Sequence, residues 1–243
     1  MNLRPYPIDV PEATLVDLRR RIGESRWADA ATHPSQGIGE RSLRPLIERW
    51  QHGYDWRRCE TELNRWGSQL FRIDDLDVHF LHARSARTDA TPIILTHGWP
   101  GSVVEFLDVL PALTDPPPGE RAFHVVVPSL PGFGFSSKPA RPGWGVEAIA
   151  DAWQSLMHAL GYPRYVAQGG DWGAMVSASL LRRHPTSCAA IHLNLVLAEP
   201  PDAVLKTPDE DERAALRALA NHRKVGSGYA ALQSTTPQGL GYA

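Results

Sequence analysis

The chain has 243 residues, of which 42% are hydrophobic and 21% are charged, and its formal net charge is -2. This composition is typical of a folded globular protein and excludes bulk disorder. The small net charge and the dispersed Lys and Arg argue against a nucleic-acid partner. Two cysteines cannot build a disulfide framework, and residues 1–11 lack the apolar run of a signal peptide or membrane anchor. We therefore expect a cytoplasmic protein with neither a nucleic-acid nor a membrane partner.

The N-terminal part of the chain predicts a helical meander followed by a β-hairpin. The expected helices are 11–22, 42–50 and 56–66, and the expected hairpin strands are 69–73 and 78–82. Asp9 is placed to cap the first helix. Large apolar side chains in the meander need a surface to bury them. These side chains are Trp27, Trp50, Trp56 and Trp66.

From Pro92 the chain alternates between apolar strands and helices. The expected strands are 93–96, 123–127, 165–167 and 189–193, and the expected helices are 103–113, 146–160 and 173–184. Such alternation predicts an α/β fold with a mostly parallel sheet and helices on both faces.

The last part of the chain changes character after Pro200-Pro201. Thr207 and Pro208 open a capping box for a helix that runs to about Lys224, whereas the tail from Tyr229 shows no clear element. The predicted domains are therefore 1–90, 91–198 and 199–243.

The motif with the clearest chemistry is Gln168-Gly169-Gly170-Asp171-Trp172-Gly173, which lies between a strand and a helix. Small residues two positions before and after a polar residue are typical of a nucleophile elbow. Here the central residue is Asp171, and a carboxylate is normally ionised at neutral pH, so it attacks without a base. The alternative interpretation is an ordinary Asp at a helix N-cap.

A second motif favours the elbow. His97-Gly98-Trp99-Pro100 follows the strand 93–96, where hydrolases of this kind place one oxyanion-hole amide. The expected donors are the backbone amides of Trp99 and Trp172. His97 is expected to shape the loop without transferring protons, and Pro100 is a candidate for a cis peptide bond.

A third motif, Leu130-Pro131-Gly132-Phe133-Gly134-Phe135-Ser136, follows the strand 123–127. It lacks the third glycine of a dinucleotide fingerprint and opens no helix, so nucleotide binding is disfavoured. The chain also has no zinc-like His and Cys spacing. We therefore expect neither cofactor nor metal.

Taken in order, HGWPGS, LPGFGFSSKP and QGGDWG resemble the microsomal-type epoxide hydrolases. The stretches YPIDVP, LRRRI and GYDWR are similar to the N-terminal domain of that family. The resemblance covers essentially the whole chain. It implies an α/β-hydrolase fold that ends inside the lid, with an epoxide hydrolase N-terminal domain at 1–90.

The resemblance also implies site residues and a reaction. SGYAALQS is similar to the lid stretch with the first of two acid tyrosines, so Tyr229 would hydrogen-bond the oxygen of a small apolar epoxide. Asp171 would attack an epoxide carbon and form an alkyl-enzyme ester. The family's second tyrosine, relay acid and catalytic histidine would follow the point where these 243 residues stop. We therefore expect a C-terminally truncated chain with impaired hydrolysis.

Three histidines follow Asp171, and none has the position of a catalytic base after a late strand. They are His184, His192 and His222. The strand 189–193 is expected to be an unprotected sheet edge, and the alternatives for a partner are a second copy or a complementing C-terminal fragment. Two other functions stay open: a haloalkane-type dehalogenase using Asp171 and Trp172, and a non-catalytic remnant that binds apolar ligands.

Overall fold

Seven strands form one sheet in the computed structural model of this chain, which describes residues 3–242. The strands are β1 (Leu3–Pro5), β2 (Ser68–Ile73), β3 (Leu76–Ala83), β4 (Thr91–Thr96), β5 (Phe123–Pro128), β6 (Tyr165–Gly169) and β7 (Cys188–Leu193). The helices are α1 (Glu12–Gly23), α2 (Glu40–Glu48), α3 (Trp56–Arg65), α4 (Leu110–Thr114), α5 (Val146–Ala159), α6 (Trp172–Arg183), α7 (Asp202–Lys206), α8 (Glu210–Asn221), α9 (Gly228–Thr235) and α10 (Pro237–Tyr242).

The strand order is β1-β2-β3-β5-β4-β6-β7. The first three pairings are antiparallel, and the pairings β5–β4, β4–β6 and β6–β7 are parallel. β4 lies between β5 and β6, so the strands that follow β4 in the chain are added first on one side of it and then on the other. Open α/β sheets form crevices at the carboxyl ends of the strands where the strand order reverses in this way. β7 is the last strand of the sheet within residues 3–242, as the sequence predicted.

The sheet is covered on both faces because its strands alternate two sets of apolar side chains. On one face, Phe80 and Val126 pack with Trp153 of α5 and Leu180 of α6. On the other face, Leu81, Val125 and Val127 pack with Leu63 of α3 and Leu110 of α4. This two-sided burial confirms the predicted α/β-hydrolase architecture.

The N-terminal segment is attached to α3 through partly buried side-chain hydrogen bonds. The amide of Asn64 both accepts from Ile8 N and donates to Ile8 O, each at 2.8 Å. Glu60 Oε1 accepts from Val10 N at 2.7 Å. That backbone N–H lowers the pKa of the Glu60 carboxyl most, and Arg57 and Trp56 lower it further. β1, which the sequence analysis missed, extends this attachment by pairing with β2.

Two expectations for the N-terminal segment are wrong. Asp9 does not cap α1, because the N-cap position is Pro11 and receives no side-chain hydrogen bond. Trp27 and Trp50 are 36% and 46% exposed, so they are not buried in the core. The Arg44 guanidinium lies 4.4 Å from the centroid of the Trp27 ring. Trp56 and Trp66 are partly buried and pack against the core, as expected.

The chain divides into two compact units, Met1–Val196 and Leu197–Ala243. The second unit consists of short helices, and α7, α9 and α10 were not foreseen from its polar, Gly-rich sequence. The N-cap of α8 is Asp209, whose carboxylate accepts from Glu212 N at 2.8 Å, and not Thr207. The segment expected as one helix at 103–113 is a 3-10 helix (Val103–Val109) continued by α4.

Candidate active site

Asp171 lies at the turn between β6 and α6, at the carboxyl end of the sheet. Its backbone angles are φ 50 and ψ -126, a conformation that is uncommon for any residue except glycine. Such a conformation costs on the order of 1–3 kcal/mol and persists only where the surroundings enforce it. The turn therefore has the strained geometry of a nucleophile elbow.

Two glycines make this turn sterically feasible. A Cβ on Gly169 would overlap the carbonyl group of Gly173. A Cβ on Gly173 would overlap the carbonyl oxygen of Thr96, at the end of β4. The glycine spacing that predicted the elbow thus corresponds to two close backbone approaches, one within the turn and one to the neighbouring strand.

The side chain of Asp171 does not cap the helix that follows it. Although Asp171 occupies the N-cap position of α6, its carboxylate receives no capping hydrogen bond from that helix. Instead, Asp171 Oδ1 accepts from the backbone amide of Trp99 at 2.9 Å, across 72 positions of sequence. The ordinary N-cap interpretation is therefore wrong, and the carboxylate is oriented toward the loop after β4.

The loop after β4 is held by His97, which is 1% exposed. His97 Nε2 accepts from the amide of Leu130 at 3.0 Å, so Nδ1 carries the proton and donates to Gly98 O at 2.9 Å. Burial lowers the pKa of His97. Both ring nitrogens are engaged, so His97 shapes the loop as expected. The Trp99–Pro100 peptide bond is cis.

Several residues that position this site were not singled out in the sequence. Gly98 lies so close to the Asp171 carboxylate that a Cβ there would be 2.8 Å from Asp171 Cγ. Trp153 of α5 donates through Nε1 to Thr96 Oγ1 at 3.1 Å. The backbone amide of Leu130, which donates to His97, also positions the site, but the Leu130 side chain gives no sign of this role in the sequence. Gly98 could have been found from the sequence, because a glycine beside an expected oxyanion-hole amide suggests a close backbone approach.

Trp172 is the first residue of α6, where a helical N–H has no partner inside the helix. Its side chain is 52% exposed, and that of Trp99 is 41% exposed. A cavity of about 270 Å³ opens beside Trp172. Its largest lining side chains are Leu130, Phe133, Trp144, Ile149, Trp172 and Val176. The cavity next to the residue that follows Asp171 is therefore largely apolar.

The remaining predicted site residue, Tyr229, and the three histidines that follow Asp171 in the sequence lie on or next to separate helices and strands. Tyr229 is in the first turn of α9, in the second unit, and is 55% exposed. His184 Nε2 contacts Asp151 Oδ1 at 2.8 Å, in a cluster with Arg183. His192 lies on β7 in register with Gln168, and His222 follows α8. Within the first unit, no histidine among residues 3–196 hydrogen-bonds to Asp171.

Within residues 3–242, no group of three or more His, Cys, Asp or Glu is arranged to hold a metal ion. In the same range, no helix combines the length and the apolar character that a membrane span requires.

Two family models match the chain. The model described as "Epoxide hydrolase N terminus" matches residues 3–106. The model described as "alpha/beta hydrolase fold" matches residues 91–243, which include the β4 loop, the elbow and the second unit.

Curated relatives and solved structures agree with these matches. A protein of Stigmatella aurantiaca (strain DW4/3-1), named as a candidate epoxide hydrolase, is 48% identical over 100% of this chain and 56% of its own length. Epoxide hydrolase 1 of Sus scrofa is 33% identical over 81% of this chain and 45% of its own length. The chain thus spans about half the length of these relatives. The Aspergillus niger epoxide hydrolase structure has a TM-score of 0.86 at 33% identity, covering 100% of this chain and 65% of that one.

Proposed function

Because the chain belongs to the alpha/beta hydrolase fold family and carries an epoxide hydrolase N terminus, we propose that it opens epoxides through a covalent ester on Asp171. One observation supports this more than any other. The Asp171 carboxylate is held in a strained elbow by the Trp99 amide and leaves the adjacent helix uncapped. A carboxylate that merely served the fold would need neither the strain nor the contact.

In the proposed first step, the Asp171 oxygen not bound by Trp99 attacks an oxirane carbon. The C–O bond of the ring breaks as the new C–O bond of the ester forms, and the ring oxygen leaves as an alkoxide. Tyr229 is our proposed acid for that oxygen. The Trp99 amide would fix the carboxylate rotamer, so that the free oxygen points toward the substrate.

In the second step, water would attack the ester carbonyl carbon. The resulting oxyanion would be stabilised by the backbone amides of Trp99 and Trp172, and collapse would release the diol and restore the carboxylate. This step needs a base for the water. His97 is engaged at both nitrogens and His184 is paired with Asp151. We propose that ester hydrolysis is impaired in a polypeptide of these 243 residues.

The proposed substrate is a small apolar epoxide. Trp99, whose amide binds the carboxylate, and Trp172, which follows Asp171 in the chain, both have exposed side chains. The 270 Å³ cavity beside Trp172 is lined by aliphatic and aromatic side chains. Burying an aryl or alkyl group on such surface is favourable by about 25 cal/mol per Å². A dehalogenase would also use Trp172, but the match to an epoxide hydrolase N terminus at 3–106 favours epoxides.

The proposal is tested by intact-protein mass spectrometry after incubation with an aryl epoxide. The expected result is a mass increase equal to one epoxide, located on Asp171 by peptide mapping and absent from Asp171→Asn. The matched alkyl bromide serves as the dehalogenase arm. An adduct with the bromide alone, or an epoxide adduct that persists in Asp171→Asn, would refute the proposal.

A further inference from the structure

The loop Gly98–Gly101 lies against two carboxyl groups, those of Asp171 and Glu105. A Cβ on Gly98 would lie 2.8 Å from Asp171 Cγ. A Cβ on Gly101 would lie 2.6 Å from Glu105 Oε1. Glu105 is thus packed onto the backbone of the segment whose Trp99 amide binds the nucleophile.

Glu105 is held in this position by a short, anchored helix. It belongs to the 3-10 helix Val103–Val109, whose N-cap is Ser102, and Ser102 Oγ accepts from Val104 N at 3.3 Å. Val103 is buried in the core. The backbone amide of Glu105 donates to Ser102 O at 3.2 Å. The helix therefore has a fixed place relative to the sheet and presents Glu105 to the loop.

The electrostatics connect the two carboxyl groups. Partial burial raises the pKa of Glu105, the Gly98 amide N–H lowers it, and the negative charge of Asp171 raises it. Asp171 is the charged group that acts on Glu105 from the neighbouring elbow. His97, on the same loop, is buried, and its lowered pKa keeps it neutral at pH 7. The Gly98 amide thus faces the Glu105 carboxyl, while the next amide, of Trp99, donates to Asp171.

We propose that Glu105 is a positioning residue for the nucleophile, which acts through the Gly98 peptide to hold the Trp99 amide against the Asp171 carboxylate. Two consecutive amides would then be fixed by carboxylates, Gly98 by Glu105 and Trp99 by Asp171. A charged acceptor makes a stronger hydrogen bond than a neutral one, so the ionised form of Glu105 would fix the loop best.

The first experiment needs no catalysis, so it remains informative even if the proposed epoxide chemistry fails. The Gly98 and Trp99 amide resonances are followed by ¹H–¹⁵N NMR as the pH is varied. In the wild type the Gly98 resonance should titrate with a midpoint above the ordinary range of a Glu carboxyl. The midpoint should fall in Asp171→Asn, because the charge that raises it is gone, and the titration should disappear in Glu105→Gln.

The matched control is Asp108→Asn, which removes a carboxylate from the same 3-10 helix and should leave the Gly98 titration unchanged. A Gly98 amide that does not titrate would overturn the proposal. So would a titration that survives in Glu105→Gln, or one that is lost in Asp108→Asn.

The second experiment rests on the proposed function and measures the rate of Asp171 alkylation by an aryl epoxide. Glu105→Ala should slow the maximal alkylation rate on the order of 10-fold, less than the 10²- to 10³-fold loss typical of removing an oxyanion-hole donor itself. The half-saturating epoxide concentration should stay constant, because Glu105 is proposed to act through the loop and not on substrate. Glu105→Gln keeps an acceptor oxygen and should restore most of the rate.

A wild-type chain that is never alkylated would refute the proposed function, and the NMR titration would still decide the role of Glu105. Conversely, normal alkylation of the wild type with an equal rate in Glu105→Ala would overturn the positioning role alone. If Glu105→Ala does not give a native NMR spectrum, Glu105→Gln is used in its place. The loss of the Gly98 titration in Glu105→Gln then tests the proposal.

Discussion

His97 Nε2 accepts a hydrogen bond from the Leu130 amide at 3.0 Å and so joins the loop after β4 to the loop after β5. Its other nitrogen donates to Gly98 O at 2.9 Å, one residue before the amide that binds Asp171. A buried neutral histidine is therefore part of the scaffold that positions the Asp171 carboxylate, which we propose as the nucleophile. A side chain with one acceptor and one donor nitrogen is needed for these two backbone hydrogen bonds, and neither of them requires proton transfer.

Replacing His97 should destabilise the fold. In His97→Ala, the Leu130 N–H and the Gly98 C=O lose their partners in a buried site, and each unsatisfied group costs about 1–3 kcal/mol. Urea denaturation should show a loss of about 2–6 kcal/mol in the free energy of unfolding. The control is His192→Ala on the exposed face of β7, which should change stability by less than about 0.5 kcal/mol. Equal losses in both variants would contradict this role for His97.

Asp171 should be a site where stability and activity oppose each other. Its φ of 50 and ψ of -126 are strained for aspartate but accessible to glycine, so Asp171→Gly should stabilise the fold by about 1 kcal/mol while abolishing alkylation. Asp171→Asn should abolish alkylation without this gain, because it keeps the Cβ. Denaturation curves of both variants test this, and a stabilised Asn variant with an unstabilised Gly variant would show that strain is not the cause.

The two elbow glycines should not tolerate a methyl group. In Gly173→Ala the Cβ would overlap the Thr96 carbonyl oxygen, and in Gly169→Ala it would overlap the Gly173 carbonyl. Because backbone must move in either case, we expect losses of about 3 kcal/mol or more, or failure to fold. The control is Gly145→Ala, where the nearest atom to a Cβ would be 4.0 Å away. Soluble, native-like expression of both elbow variants would argue against the close approach.

Acid should destabilise the fold through its buried histidines. Burial lowers the pKa of His79 from 6.5 to about 4, so the unfolded chain binds the proton more readily. Neutral His79 therefore stabilises the fold fully above pH 6.5, and this stabilisation is lost as the pH falls toward 4. The loss amounts to on the order of 3 kcal/mol.

The measurement compares His79→Gln with the wild type between pH 7 and pH 4. His82 is shifted by burial in the same direction, so the wild-type slope exceeds that of His79 alone. The variant should be less stable at pH 7, because it loses the contacts to Ser129 and Ser68, yet its stability should depend less on pH. Parallel pH profiles would contradict the assignment.

The sequence predicted the parts of the site that depend on local sterics. The glycine spacing around Asp171 fixed the elbow, because the clash that excludes other residues lies within a few positions of the motif. The Trp99 amide was foreseen from its place after a strand. Glu105 could not be foreseen, since its contact with Gly101 depends on the 3-10 form of residues 103–109. An α-helix, which the apolar spacing predicted, would turn its side chains by a different angle per residue.

The N-terminal tryptophans also show that contacts between distant parts of the chain could not be predicted from the sequence. Hydrophobicity predicted that all four would be buried, and it was right for Trp56 and Trp66, which lie beside the core through α3. Trp27 lies outside any helix or strand and Trp50 lies in the segment Arg49–Gly53 after α2, and both side chains are exposed. Hydrophobicity indicates that a side chain is more stable when it is buried, but the fold decides whether an apolar surface lies next to it.

The last prediction concerns turnover by a polypeptide of these 243 residues. After incubation with an aryl epoxide, Asp171 should be alkylated once and diol should not be released steadily. Forming the ester needs the carboxylate, held by Trp99, and a proton donor, for which we propose Tyr229. Breaking the ester needs a base, and the loss of general-base catalysis typically costs about 10²- to 10⁴-fold. The adduct should therefore persist for many times the period of its formation.

Two measurements separate formation from breakdown. Rapid quenching with intact-mass analysis gives the rate of adduct formation, and removal of excess epoxide followed by timed sampling gives its decay. Tyr229→Phe should slow formation and leave decay unchanged, because the acid acts on the leaving ring oxygen. Single replacements of His184, His192 and His222 by Ala should leave both rates unchanged. Steady diol release that any of these histidine variants abolishes would show that the base lies within the chain after all, with His184 freed from Asp151 as the first residue to examine.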